Sequence, residues 1–292
     1  MVTKNKIKSF LPPILLDKIN NIRTSNSFKK YKDLVAKNIE LKDKHKGQRC
    51  FLLGSGPSIK QENLKVLKNE IVFALNNFYV HPDFQEIMSG DVEKYYMTAP
   101  IHLPQTEQEW KDWFEDMEQY IPKHTNMLFG LNTYKNNTRY ILNKYGLFNN
   151  HQVNWYYTGI NTGEYYSFNK KDIKMTNMIW NANTISTYAL ISAIYMGFDE
   201  IYLLGIDHNY VCNQENQWRF YKEGLHQKNE ISRTMKGKSY NQHTFAATGK
   251  IFKQYQMLLE KNKNKIYNCS NTSLLDIFEY ANLEKILKKS VS

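Results

Sequence analysis

Cys50-Phe51-Leu52-Leu53-Gly54-Ser55-Gly56-Pro57-Ser58 is the stretch on which the reading of the fold turns. Four apolar residues run straight into a glycine-rich turn, as a short strand buried on both faces does. Ser58, with Gln61 three residues on, predicts the capped start of a helix. That helix carries Leu64 and Leu67 and ends before a second apolar run, Ile71-Val72-Phe73-Ala74-Leu75. Strand, turn, helix and strand in this order predict a parallel sheet of the Rossmann-like kind, with helices on both faces.

The pattern continues towards the C-terminus. A third strand is expected around Glu86 to Ser89, a Trp-bearing amphipathic helix over Glu107 to Tyr120, and a helix over Thr133 to Tyr145. Strands are expected at Met127-Leu128-Phe129 and Val153-Asn154-Trp155 to either side of that last helix. Thr184 to Met196 reads as a helix of small and apolar residues, and Gly197 ends it. Glu200-Ile201-Tyr202-Leu203-Leu204-Gly205 then forms another buried strand. A polar, aromatic stretch from about 207 to 242 has no periodicity and reads as a lid, because unstructured connections of that length are usually functional. A helix from about Thr244 to Lys261, a strand at Lys265 to Asn268 and a terminal helix close the chain.

The N-terminal side differs. Residues 1–46 read as a basic, apolar helical extension before a catalytic domain over 47–292. In it, Phe10-Leu11-Pro12-Pro13-Ile14-Leu15-Leu16 lies among Lys4, Lys6, Lys8 and Lys18. Two readings stay open: a helix packed on the main domain, or an element lying in a membrane interface.

The 292 residues are 41% hydrophobic, enough for a real core, and 14% aromatic with 21 tyrosines. A net charge of +11 points to an anionic partner. The lysines are spread along the chain, with neither zinc-finger spacing nor an RNP-type strand, so nucleic acid is not expected. An anionic membrane surface and a nucleotide remain. Cys50, Cys212 and Cys269 are odd in number and far apart, which predicts neither a disulfide framework nor a metal site. With no signal peptide and no long apolar run, the expected location is the cytoplasm, with peripheral attachment to the inner face of the cell membrane as an option.

In an open parallel sheet, ligands bind beyond the carboxyl ends of the strands. Four features stand there. Gly54-Ser55-Gly56-Pro57-Ser58 offers close backbone approach and the amides of a helix N-terminus to an anion. Asn76-Asn77 brings two amides able to read a base or a ribose, or simply a turn. Asn183 and Thr184 open the small-residue helix, as cap or as phosphate seat. Asp207-His208-Asn209-Tyr210 leaves the last core strand as an acid–base candidate, or as an Asp that holds a loop. The lid adds Tyr221, His226, Tyr240 and His243. No metal-binding pattern occurs, so no protein-bound metal is expected.

At these places the chain resembles the bacterial CST-type sialyltransferases and, more widely, the Maf/MptE-like group. The resemblance rests on Phe51 to Ser58, Val72 to Tyr79, Met196 to Asp207 and Ile266 to Leu275. It implies a metal-independent, inverting glycosyltransferase with a GT-A-like variant of the Rossmann-like fold. Its nucleotide-sugar donor would be a CMP-activated sialic acid or related acidic sugar, with no further cofactor. The acceptor would be a glycan or glycolipid in lipopolysaccharide or capsule assembly, and a homo-oligomer is compatible with it. By position, Asn76 matches a nucleotide-binding amide, Tyr210 stands next to an expected phosphate-binding tyrosine position held by Asn209, and His243 corresponds to the catalytic base. The chain departs from the pattern at Ser55 for an asparagine, Ala182 for an arginine and Ile185 for a serine. Two rivals follow from the wider group: an ATP-dependent pterin pyrophosphokinase, and a non-catalytic component of glycan assembly.

Overall fold

The computed structural model describes residues 13–159, 173–212, 219–221 and 239–288. Within them nine strands form one sheet: β1 (Arg49–Leu53), β2 (Val72–Leu75), β3 (Lys94–Thr98), β4 (Asn126–Leu131), β5 (Gln152–Thr158), β6 (Met178–Ile179), β7 (Glu200–Leu204), β8 (Lys265–Asn268) and β9 (Glu279–Tyr280). Every pairing is parallel, in the order β6-β5-β4-β3-β2-β1-β7-β8-β9. The helices are α1 (Pro13–Lys29), α2 (Lys32–Ala36), α3 (Phe84–Met88), α4 (Glu107–Tyr120), α5 (Thr138–Tyr145), α6 (Ile185–Tyr195), α7 (Tyr240–Lys261) and α8 (Leu283–Lys288). This is the α/β, Rossmann-like architecture that the sequence predicts.

The two-residue alternation of a strand divides the core. Phe51 and Leu53 of β1 join Val72, Ala74, Phe129 and the α4 residues Trp110, Phe114 and Met117 on one face. Cys50 and Leu52 join Phe73, Leu75, Leu128 and the α6 and α7 residues Leu190, Ile191, Tyr255 and Leu258 on the other. Helix α6 is apolar all round because it is buried all round, from Ser186 to Tyr195. Helix α4 is closed by a capping box, in which Thr106 accepts from the Glu109 amide while the Glu109 carboxylate accepts from the Thr106 amide.

Three expectations change. Residues 86–88 belong to helix α3 with Ser89 as its C-cap, and the third strand is Lys94–Thr98. A lysine at its head hides that strand from an apolar count. Lys94 is fully buried, and its ammonium donates to the carbonyls of Leu67 (3.3 Å), Lys68 (2.6 Å) and Glu70 (2.8 Å). Burial lowers its pKa to about 8. Ser58 caps nothing: Pro57–Gln61 is one short 3-10 turn whose N-cap is Gly56. Helix α7 starts at Tyr240, so His243 sits inside its first turn.

Residues 1–12, including Phe10 and Leu11 of the apolar cluster, lie outside the described residues, as do 213–218 and 222–238 of the lid stretch. From Thr24 onwards the N-terminal segment is built into the domain. Phe28 packs edge-on against Tyr157 at 5.3 Å, and Val35 and Leu41 are core residues. Asn38 is fully buried between β5 and the segment before β6, donating to the carbonyls of Trp155 (2.6 Å) and Met175 (2.8 Å). No helix among the described residues is long and apolar enough to cross a membrane.

Two buried carbonyls without a donor cost more than the hydrogen bonds themselves gain. Asn38→Ala is therefore expected to lower the unfolding free energy by about 2–3 kcal/mol, read from urea denaturation. An unchanged midpoint would show that the segment contributes nothing to the fold.

Candidate functional site

Strand order reverses beside β1. The chain runs outward from β1 through β2 to β6, then returns to place β7 on its other side. Loops leaving β1 and β7 therefore part company above the sheet and leave a crevice, the usual ligand position in such folds. Here the two loops are clasped. Gly54 N–H donates to the Leu204 carbonyl (2.8 Å) and Gly56 N–H to the Gly205 carbonyl (2.7 Å). The Asp207 carboxylate accepts from Ser58 N–H (2.9 Å) and from Ser58 Oγ (2.5 Å). Ser58 also reaches Ser270 Oγ at 3.0 Å, which brings in the loop after β8. Asp207 is 3% exposed, and burial raises its pKa against the pull of the Ser58 hydrogen bonds.

The clasp corrects the expected role of the glycine turn. A Cβ on Gly54 would lie 2.4 Å from the Gly205 carbonyl oxygen, and one on Gly56 would lie 2.5 Å from the Asp207 carboxylate. These glycines admit the neighbouring loop, and they also line the narrow hollow beside it. The amides of Gly56 and Ser58 are likewise spent within the protein, on Gly205 and Asp207. Pro57 has none to give, and Ser55 is the residue of the turn that lines the cleft above.

That cleft, of about 1030 Å³, runs along the carboxyl ends of the sheet. Every strand from β1 to β7 delivers residues to it: Ser55, Asn76, Ala99, Asn132, Thr158, Thr184 and Tyr210 in turn. Its described lining includes the cations Arg23, Lys135 and Arg219 and no carboxylate. A second hollow of about 730 Å³ lies at the opposite edge, between Arg49, Glu200 and Lys265. It sits at the amino ends of the strands, where parallel sheets do not place their sites.

The predicted residues meet unequally. Asn76 has a left-handed backbone (φ 49°), which asparagine tolerates. Its Oδ1 accepts from Ala99 N–H at 3.1 Å, and its Nδ2 has no partner among the described residues. Asn77 is committed to structure, accepting from Trp113 Nε1 (2.6 Å) and donating to Tyr221 OH (3.0 Å). Asn183 is held by Gln254 of α7 on both its amide N–H and its side-chain oxygen (3.0 and 2.9 Å). Thr184 is the N-cap residue of α6, yet its side chain makes no capping hydrogen bond. The N-terminus of α6 thus keeps backbone donors and a positive dipole end at the cleft, which makes it a better anion seat than the glycine turn.

Thr184 Oγ1 lies 3.1 Å from Ser186 Oγ, which lies 2.6 Å from Tyr255 OH, and that hydroxyl lies 2.8 Å from His208 Nε2. A buried relay therefore joins the cleft to His208. His208 Nδ1 has no partner, and the ring lines a narrow hollow of about 60 Å³ with Ser55, Thr184, Tyr210 and Arg219. Burial lowers the His208 pKa from 6.5 to about 4, so the ring is neutral at pH 7. His243 is exposed on the first turn of α7 and does not line the cleft. His226 lies outside the described residues, as does the side chain of Tyr240.

No protein-family model matches the sequence, and no curated protein matches it. Among solved structures, the chain is similar to the sialyltransferase CstII from Campylobacter jejuni in two complexes. One holds a substrate analogue, cytidine-5'-monophosphate: 17% identity, TM-score 0.46, covering 81% of this chain and 86% of that one. The other holds CMP-3FNeuAc: 18% identity, TM-score 0.41, covering 80% and 85%. Both likenesses are remote.

Sequence reasoning missed Arg219, Arg23, Lys135 and Trp110. Arg219 is placed by its neighbours: Phe220 N–H donates to the Ser55 carbonyl (3.0 Å), and Phe220 packs against Phe78 and His81. Its guanidinium donates to Tyr221 OH at 2.7 Å and lies over that ring. An Arg-Phe-Tyr triplet inside a long polar stretch was the available signal. Arg23 had none, because nothing local tells which strand ends α1 will overhang. Among the described residues, no group of three or more His, Cys, Asp or Glu is placed to hold a metal ion.

The buried imidazole makes stability depend on pH with a defined sign. The unfolded chain protonates His208 near pH 6.5, while the folded protein resists until about pH 4. Between those values the unfolded state binds more protons, so this contribution is complete above pH 6.5 and is lost as pH falls towards 4. His45 and His81 are lowered in the same sense by burial, so the informative quantity is a difference. In His208→Asn, which tolerates a left-handed backbone and does not titrate, the acid loss between pH 6.5 and 4 should be smaller than in the wild type. Parallel curves from urea melts across that range would remove His208 from the account.

Proposed function

We propose that the chain is a glycosyltransferase that takes its sugar from a CMP-activated acidic donor. The observation that carries this reading is the cleft at the strand carboxyl ends. Its described lining holds no carboxylate, and it opens on the uncapped N-terminus of α6 with Arg219 beside it. Such a surface takes an anion and rejects a cation. The landmark segments around Gly54, Asn76 and Asp207 narrow the anion to a CMP-sugar.

In this reading the nucleotide lies over Ser55, with the unpartnered Nδ2 of Asn76 as a fixed donor to it. The phosphate faces the first-turn amides of α6, with Arg219 and Tyr210 at its side. An acceptor hydroxyl attacks the anomeric carbon as the bond from that carbon to the phosphate oxygen breaks, and CMP leaves with the electron pair. The donors that face the phosphate stabilise the charge that develops there, and being fixed they cost little to reorganise. His243 takes the hydroxyl proton. His208 is the poorer candidate, because burial holds its pKa near 4 and its Nε2 is engaged by Tyr255. The end of the lid stretch, where His243 stands, is also where closure over an acceptor would act. Surface-glycan assembly is the setting proposed for the reaction, and a peripheral place at the membrane is proposed with it.

Calorimetry with CMP and with ATP, each with and without magnesium, tests the donor. CMP binding that is independent of magnesium supports the reading, whereas ATP binding with magnesium and none of CMP points to the pyrophosphokinase. With an active acceptor, His243→Ala should lower turnover by about 100-fold or more while CMP affinity stays within a factor of two. Near-normal turnover in that variant would remove His243 from the chemistry.

A further inference from the structure

The cleft has a second end. Adjacent strands are spaced by about 4.8 Å, so the carboxyl end of β4 lies roughly 14 Å from that of β1. This is about the room that one more sugar ring needs beyond a donor seated over β1 and β7. The far end is built from three separate pieces: α1, the loop after β3 and the loop after β4. Asn132 ties the two loops together, donating to the Ile101 carbonyl and accepting from Tyr134 N–H, both at 2.9 Å. These two walls are therefore tied together before any ligand arrives.

Two features there lack a counterpart. Arg23 from α1 and Lys135 from the β4 loop both line the cleft, and neither forms an ion pair with a described residue. Their place over the cleft sets these two apart from the many cations scattered on the surface. Trp110 also lines this end, with its ring edge-on to His102 at 6.0 Å and to Trp113 at 5.4 Å. Its indole Nε1–H is buried without a partner. A buried indole N–H normally finds an acceptor, and one left without is a donor awaiting a ligand or a small local shift.

We infer that this end is a second-ligand subsite for a pyranose bearing a carboxylate or phosphate. The apolar ring face packs on His102 and the edge of Trp110 that reaches the cleft, and the charge sits between Arg23 and Lys135. The inference rests on the donor reading above for what the second ligand is, an acceptor, and it is tested apart from it. Two cations flanking an aromatic wall suit a ring with one charged substituent better than a neutral ring. Helix α1, set apart as an extension by its sequence, then becomes a wall of the site.

The test uses the full chain and a matched pair of probes, methyl β-D-glucuronide and methyl β-D-glucoside, which differ by one carboxylate. CMP affinity is measured first. Each glycoside is then titrated by tryptophan fluorescence, with CMP at saturation where it binds. The glucuronide should bind at least about fivefold more tightly than the glucoside. The preference should vanish in the Arg23→Ala/Lys135→Ala double variant, with its circular dichroism and CMP affinity retained. Trp110→Phe, which keeps a ring and removes the N–H, should weaken both probes. Equal binding of the two glycosides, no response to either, or a preference that survives the double variant overturns the inference. Absent CMP binding with an intact glucuronide preference would overturn the donor reading and leave the subsite standing.

Discussion

The Asp207 carboxylate folded onto Ser58 is the contact from which the rest of the site takes its shape. A carboxylate 3% exposed, with no cation paired to it among the described residues, is costly to bury, and its raised pKa shows that burial outweighs the hydrogen bonds from Ser58 and Ser270. What holds it there is the geometry around it. Gly54, Gly56 and Gly205 leave no Cβ between the β1 and β7 loops, and Ser270 closes the β8 side by accepting Gly205 N–H at 3.1 Å. The crevice of an open α/β sheet is usually a gap between diverging loops. Here its floor is sealed by protein, so a ligand has to lie above it, across Ser55 towards Asn76 and Thr184.

This explains which parts were legible in the sequence. Strands β1, β2, β7 and β8 are short apolar runs bounded by turns, and two-residue alternation reads them directly. β3 was misread because Lys94 at its head looks like surface, whereas three backbone carbonyls satisfy its ammonium inside. The glycine turn was found, and its glycines were assigned to the wrong neighbour. A run such as Gly54-Ser55-Gly56 announces that something must come close, and only tertiary structure says that it is Asp207 and Gly205. Asn77 and Asn183 were singled out as site groups for their chemistry, and the fold spends that chemistry on Trp113, Tyr221 and Gln254. The cations of the cleft stayed hidden for the opposite reason. Arg23, Lys135 and Arg219 come from three distant segments, and no local pattern marks their convergence.

The distribution of charge in the cleft is then a consequence of the fold and not of composition alone. A chain of net charge +11 has unpaired cations in many places. In the cleft, fixed dipoles accompany them: the α6 N-terminus and the Asn76 amide present donors. Donors held by packing bind an anion with little loss of side-chain freedom, whereas surface lysines must be ordered at a cost. Exposed Arg23 and Lys135 therefore add attraction and orientation to a site whose polarity is already set by the backbone.

The same polarity bears on the relay from Thr184 to His208. Three hydroxyls in a row can all donate towards the imidazole or all away from it. Donation towards His208 makes Nε2 an acceptor, so the neutral ring carries its proton on Nδ1, and Thr184 Oγ1 faces the cleft as an acceptor. The reverse leaves Nδ1 a bare acceptor and Thr184 a donor. His208 lines the hollow shared with Arg219 and the α6 N-terminus, which Asp207 lines as well, and its Nδ1 is buried without a partner. An anion there would select the Nδ1–H tautomer, and Tyr255 would hold it by giving its single proton to Nε2. Burial lowers the His208 pKa to about 4, so the ring of the protein alone is neutral at pH 7. The titration that makes other histidines useful is what burial has taken away from this one.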